Sequence, residues 1–175
     1  MKTIFSFDGG GVRGAITVAF LEEIERVIRD VHDTSFVETV DLAGGTSTGA
    51  IIAAALALGY SASDIRQFYF TLAPKVFQRS RSRLPGIQSR FKAKLLKHEI
   101  TELCGDRTLD TPDLLTGFAL CIKRMDTGSP WVLSNNPNNP FWHDPPDHSY
   151  IGNRHYKLAD ILRASTAAPH YFEPE

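Results

Sequence analysis

Two glycine-flanked segments carry residue types that could do chemistry. In Gly45-Thr46-Ser47-Thr48-Gly49 a serine stands at the centre of G-x-S-x-G, between a strand-like run and a run of small apolar residues. On such a tight strand-to-helix turn the serine hydroxyl is presented as a nucleophile, the flanking glycines relieve crowding, and the N–H that follows can face a developing oxyanion. Upstream, Gly9-Gly10-Gly11-Val12-Arg13-Gly14 follows Asp8 and satisfies G-x-G-x-x-G. Backbone of this kind turns sharply and offers N–H groups to an anion at a helix N-terminus. The same pattern opens dinucleotide-binding units, but those need an acidic residue at the end of the second strand. Here the second strand ends in Ala43-Gly44-Gly45. What the two segments offer together is oxyanion or phosphate binding beside a serine.

The elements that must position them can be read from periodicity. Lys2 to Phe7 predicts a strand, and after the glycines Phe20, Ile24, Val27, Ile28 and Val31 recur at helical spacing as an apolar face. Glu22 with Arg26 and Glu25 with Arg29 stand at i,i+4 on the opposite face, which is expected to meet solvent. Thr39 to Ala43 predicts a second strand, and the apolar run after Gly49 a helix that stops near Gly59. Ser61-Ala62-Ser63-Asp64 supplies an N-cap for a helix through Phe70, with Ile65, Phe68 and Tyr69 available to the core and Pro74 marking its end or the next loop. Phe118 to Arg124 and Trp131 to Ser134 read as a hairpin turning at Asp126-Thr127-Gly128. Asn135 to Pro146 reads as an irregular loop and Leu158 to Ala168 as a last helix.

With 175 residues, 42% of them hydrophobic, the chain can bury one core but not two. Nineteen Lys and Arg against twenty Asp and Glu leave a net charge of -1, which removes the global electrostatic case for a nucleic-acid polymer as partner. Cys104 and Cys121 form neither a zinc-binding nor a disulfide framework and are expected as reduced, buried thiols. The most apolar stretch, Ala50 to Leu58, is about half of the roughly 18 residues a membrane span needs. Met1 and Lys2 lead straight into a strand, so a cytoplasmic protein is expected. His143-Asp144-Pro145-Pro146-Asp147-His148 holds metal-ligand residue types, but its prolines favour a loop, and no metal or cofactor is expected.

Asp8-Gly9-Gly10-Gly11-Val12-Arg13-Gly14, followed by Asp41-Leu42-Ala43-Gly44-Gly45-Thr46-Ser47-Thr48-Gly49, closely resembles the patatin-like phospholipase family. Ser61 to Phe77 is similar to that family's next helix and its Pro-Lys-x-Phe turn. Arg163-Ala164-Ser165-Thr166-Ala167-Ala168-Pro169-His170-Tyr171-Phe172 is similar to its RAS-x-AAP-x-YF segment. The resemblance covers nearly the whole chain, the middle basic stretch least. It implies a three-layer α/β/α domain with a mainly parallel sheet, acting as a phospholipase A-type lipid acyl hydrolase on phospholipids or other acyl esters. It also implies a Ser-Asp dyad without histidine, metal or cofactor. Ser47 would be the nucleophile, the amides around Gly10, Gly11 and Val12 the oxyanion hole, and Arg13 a loop anchor or a partner for a lipid phosphate.

The family's base is an aspartate in Asp-Gly-Gly or Asp-Gly-Ala shortly after the AAP-x-YF segment, and residues 1–175 contain no such motif after Phe172. The expectation is therefore an N-terminal part of a longer domain, inactive alone or completed by another polypeptide. Between Arg79 and Lys97 every charge is basic, which reads as a solvated face or as a peripheral docking surface for anionic headgroups. Bacterial members of the family switched on by cyclic nucleotides add a third use for such a surface. Two rivals stay open. One is a Ser-His-Asp esterase built from Ser47, Asp126 and His155 or His170. The other is a non-catalytic module that holds a phosphate or nucleotide, which would not need a serine on the turn.

Overall fold

The computed structural model describes residues 1–76, 93–168, 172 and 175. Strands β1 (Ile4–Phe7), β2 (Leu42–Gly45), β3 (Gly117–Lys123) and β4 (Pro130–Ser134) form one sheet in that order. The first three run parallel, and β4 returns antiparallel to β3. Helices α1 (Gly14–His32), α2 (Thr48–Ala57), α3 (Ala62–Val76), α4 (Ala93–Cys104) and α5 (Leu158–Ser165) complete a mixed α/β domain with the expected mainly parallel sheet.

Side chains alternate cleanly across the sheet. Phe7, Ala43, Phe118, Leu120 and Leu133 are buried on the face where α2 lies against β1, β2 and β3 and α5 against β3. On the other face Ile4 and Val132 are 65% and 58% exposed, and Leu42, Gly44, Ala119 and Cys121 are half-buried. Of an α/β/α sandwich, the described residues thus supply the sheet and one layer of mutually contacting helices. At its centre is α2, buried along its whole length, whose alanines let it lie close to the sheet.

β2 sits later than its β-branched residues predict. Val37–Thr39 forms a 3-10 turn, while Gly44 and Gly45 pair with Ser6 and Phe7 on one side and with Ala119 and Leu120 on the other. Pairing on both sides outweighs glycine's weak strand preference. Only glycine fits at position 45, because a Cβ there would lie 2.6 Å from both Phe7 O and Gly49 C.

α1 is rotated relative to the expected face. Its buried residues are Gly14, Val18 and Leu21, with Ile24 and Ile28 packed against the core, whereas Phe20, Val27 and Val31 are exposed. Contact with α3 explains the rotation. Glu22 pairs with Arg66 at 2.8 Å, and Glu25 accepts the Ala62 N–H at 3.0 Å, so two carboxylates expected in solvent face a neighbouring helix. Arg26 accordingly pairs with Glu23 and Asp30 rather than Glu22, while Arg29 stays with Glu25 at 3.6 Å.

α3 begins as expected. Ser61 Oγ accepts the Asp64 N–H and the Asp64 carboxylate accepts the Ser61 N–H, both at 3.1 Å, a reciprocal cap. It runs through Pro74 to Val76 instead of stopping. The carbonyl that Pro74 leaves without a partner belongs to exposed Phe70, where water can satisfy it.

α4 was hidden in the basic stretch, and Leu96, Ile100, Leu103 and Cys104 give it a buried face. Arg79, Arg81, Arg83, Arg90 and Lys92 of the proposed docking surface lie outside the described residues. Lys97 pairs with Asp160 at 3.3 Å and with Glu175.

The β3–β4 hairpin forms as expected, with Gly128 at φ 70° in its turn. α5 ends at Ser165, short of the expected Ala168. Burial pushes the Cys104 thiol up to about 12, while Cys121 is half-buried rather than buried. Among the described residues no helix is long and apolar enough to cross a membrane.

The tightest backbone crossing gives a sharp test. A Cβ at Gly49 would overlap Phe7 O and sit 2.6 Å from Phe7 C and 2.8 Å from Asp8 O, all backbone atoms. Gly49→Ala should cost about 3 kcal/mol or more. Gly128→Asn, with nothing within 4 Å and a left-handed backbone that asparagine tolerates, should cost under about 1 kcal/mol. Urea denaturation of the two variants measures both.

Candidate active site

Ser47 occupies the sharp turn between β2 and α2 with φ 53° and ψ −127°, a conformation non-glycine residues rarely adopt. Its carbonyl accepts the Ala50 N–H at 3.0 Å and so starts α2, which places the hydroxyl at the positive end of that helix. The Ser47 N–H donates to Ser165 Oγ at 2.9 Å, and the Ser165 hydroxyl donates to Cys121 O at 2.8 Å. A serine of α5 thus clamps the turn to β3. Ser47 itself is half-buried, and no hydrogen bond to its hydroxyl occurs among the described residues.

The glycine loop lies directly against this turn. A Cβ on Gly9 would stand 2.9 Å from Ser47 Cβ. Two threonines of the elbow hold the loop: the Gly9 N–H donates to Thr46 Oγ1 at 3.3 Å and the Gly10 N–H to Thr48 Oγ1 at 3.2 Å. From the other side buried Tyr69 of α3 donates its hydroxyl to Gly11 O and is itself approached by the Thr48 hydroxyl and the Gly14 N–H. Burial raises the Tyr69 phenol above its ordinary value, and those two donors oppose the rise. The loop is thus held at Gly10 N–H by Thr48 and at Gly11 O by Tyr69.

Which amides this leaves is decisive for anion binding. The Gly10 N–H, expected to face the anion, is bonded to Thr48 instead, and the Arg13 N–H donates to Gly10 O at 3.1 Å. Among the described residues the N–H groups of Gly11, Val12 and Thr48 make no hydrogen bond. Gly11 has φ 55°, which glycine alone adopts freely, so its N–H is oriented by a turn that needs glycine. Arg13 is exposed at the start of α1 and Gly14 is buried against Tyr69.

The triad alternative does not assemble with His155. His155 Nε2 lies 2.9 Å from Asp144 Oδ2 in the loop before α5, and Asp126 pairs with Arg124 in the hairpin turn. His170 lies outside the described residues. In the His143–His148 segment Asp144 is drawn to the Gly152 N–H at 2.8 Å and to His155, so this segment is tied down by loop contacts. Tyr69 and Ser165 were legible in sequence only as a core aromatic and as part of the RAS-x-AAP segment, and nothing in their spacing pointed to Gly11 or Ser47.

With this geometry in view, comparison with known proteins is informative. The family model for patatin-like phospholipase matches residues 5–175, and the chain belongs to that family. It is 32% identical over 180 residues to the cGAMP-activated phospholipase of Escherichia coli (strain TW11681), covering 98% of this chain and 47% of that protein. It is 28% identical over 186 residues to the probable inactive patatin-3-Kuras 1 of Solanum tuberosum, covering 99% and 46%. The chain thus spans about half the length of these relatives. The crystal structure of the type III effector protein ExoU matches 96% of this chain and 40% of its own, with a TM-score of 0.53 and 18% identity, a likeness of fold.

Tyr69→Phe removes one hydroxyl and leaves the ring. It should destabilise the protein by about 1–2 kcal/mol, since Gly11 O and Thr48 lose the partner that the buried Tyr69 supplies. Amide exchange at Gly10 should also accelerate. An unchanged urea midpoint and unchanged exchange would show that the hydroxyl does not hold the loop.

Proposed function

We propose that this chain carries the nucleophile half of a lipid acyl hydrolase of phospholipase A type. The observation that carries the reading is the left-handed Ser47 on the elbow, set against a glycine loop that leaves the Gly11 and Val12 N–H groups without internal partners. Membership of the patatin-like phospholipase family supports a lipid ester as substrate.

In this reading a carboxylate takes the Ser47 proton as Oγ attacks the ester carbonyl carbon. The carbonyl oxygen becomes an oxyanion facing the N–H groups of Gly11, Val12 and Thr48, and the N-terminus of α2 favours that negative charge. Collapse of the tetrahedral species expels the alcohol, which receives the proton from the carboxyl group. Water then releases the acyl group by the same route in reverse order of roles. The carboxylate is assigned to an aspartate outside residues 1–175, in the Asp-Gly-Gly or Asp-Gly-Ala motif. Two observations support that assignment: no described side chain hydrogen-bonds the Ser47 hydroxyl, and the relatives are about twice as long.

In the full-length protein Ser47→Ala should abolish hydrolysis of short acyl esters and leave the unfolding free energy from urea denaturation within about 0.5 kcal/mol of the parent. Retained activity would refute the nucleophile assignment. Gly11→Val, which forces a β-branched residue to φ 55°, should lower the chemical rate by about 100-fold or more through a displaced donor. Normal turnover in a folded Gly11→Val protein would reduce the loop to a mere turn.

A further inference from the structure

A groove of about 750 Å³ opens along the carboxyl end of β3, between the β3–β4 hairpin and the segment that leads into α5. Its walls include Ile122, Trp131, Phe141, Tyr150, Ile151 and Asn153. Trp131 and Tyr156 meet edge to face with centroids 5.9 Å apart, and Phe141 and Tyr150 do so at 5.6 Å. Trp131 and Tyr156 also pack against the core, whereas Phe141 is 53% exposed and Ile151 62%. Lys123, Arg124, Asp126 and Glu175 line it as well, so apolar walls stand beside charged groups, and the volume lies within the roughly 300–1,000 Å³ of small-molecule pockets.

The groove and Ser47 share one edge of the sheet. Because β2 and β3 are parallel, their carboxyl ends share one edge of the sheet, and Ser47 follows the end of β2. Ala164 lines the groove, and the next residue, Ser165, holds both the Ser47 N–H and Cys121 O. Ile122, the neighbour of Cys121, is another wall residue.

One wall residue is polar and unsatisfied. Asn153 is 1% exposed, and its Nδ2 has no hydrogen-bond partner among the described residues. A buried amide donor left in that state is costly, and an acceptor oxygen supplied by a ligand would relieve it after a small movement of the side chain. A ligand with a long apolar body and a carboxyl or ester oxygen meets both demands of the groove.

We propose, resting on the reading of Ser47 as nucleophile, that this groove receives the acyl chain of the ester under attack and retains it as the fatty-acid product. The aromatic walls bury methylenes, and Asn153 donates to an acyl oxygen. Occupation by further chain beyond Glu175, which also lines the groove, is the competing possibility.

Trp131 provides a built-in reporter, because the only other tryptophan within residues 1–175, Trp142, is buried and does not line the groove, and comparison with Trp131→Phe isolates its share of the signal. In the full-length protein 9,10-dibromostearate, titrated below its micelle concentration, should quench tryptophan fluorescence saturably, and Trp131→Phe should remove most of that quenching. Ile151→Glu, at an exposed position where folding is not at stake, should weaken binding at least tenfold. Asn153→Leu should weaken it several-fold while raising the melting temperature, because an orphaned donor is replaced by an apolar group of similar shape. Absence of saturable quenching, or equal affinity in Ile151→Glu, would overturn the proposal and leave the groove to protein. Binding without Ser47-dependent hydrolysis would refute the function proposed above and keep the groove. Ser47-dependent hydrolysis without binding would do the reverse.

Discussion

The structure depends on one steric constraint: the end of β1 and the first turn of α2 pass closer than any side chain allows. Gly45 and Gly49 both face Phe7 O, and Gly9 faces Ser47 Cβ, each with too little room for a methyl group. The Thr46 N–H donates to the same Phe7 carbonyl at 3.2 Å, so the approach is held by a hydrogen bond as well as permitted by missing atoms. Because the strand end and the elbow touch, the glycine loop that follows β1 is delivered to Ser47. A methyl group at any of these three glycines would push the strand end and the elbow apart.

That approach imposes a cost at Ser47, whose left-handed backbone is worth about 1–3 kcal/mol of strain. The compensating contacts come from distant parts of the chain. Ser165 holds the Ser47 N–H to β3, Thr46 and Thr48 hold Gly9 and Gly10, and Tyr69 holds Gly11 from α3. At about 0.5–1.5 kcal/mol each, several such bonds offset the strain, and burial of α2 along its whole length anchors the turn they act on. The strained serine is stable because three helices and three strands converge on its turn.

Much of this was legible beforehand, and the reasons differ between elements. Local signals survived: the glycine loop, the G-x-S-x-G turn, the reciprocal Ser61–Asp64 cap and the Asp126-Thr127-Gly128 hairpin all depend on neighbours in sequence. What failed depended on neighbours in space. The exposed face of α1 looked buried because Phe20, Val27 and Val31 are apolar, yet α3 draws Glu22 and Glu25 inward. β2 runs through Gly44 and Gly45 because it is paired on both sides, and α3 tolerates Pro74 where the carbonyl it orphans can meet water. At the candidate site the residue types were readable, but their hydrogen-bonding state was not. Gly10 was expected to offer its N–H to an anion, and only the fold shows that Thr48 takes it.

The central claim is that the strained serine between these glycines is the group that forms a covalent bond with substrate. The most direct measurement is peptide mass mapping of the full-length protein after reaction with a long-chain alkyl fluorophosphonate. The account predicts a single phosphonyl adduct on the peptide containing Ser47, formed in step with loss of ester hydrolysis. An adduct on another serine, or complete loss of hydrolysis with Ser47 unmodified, would contradict it.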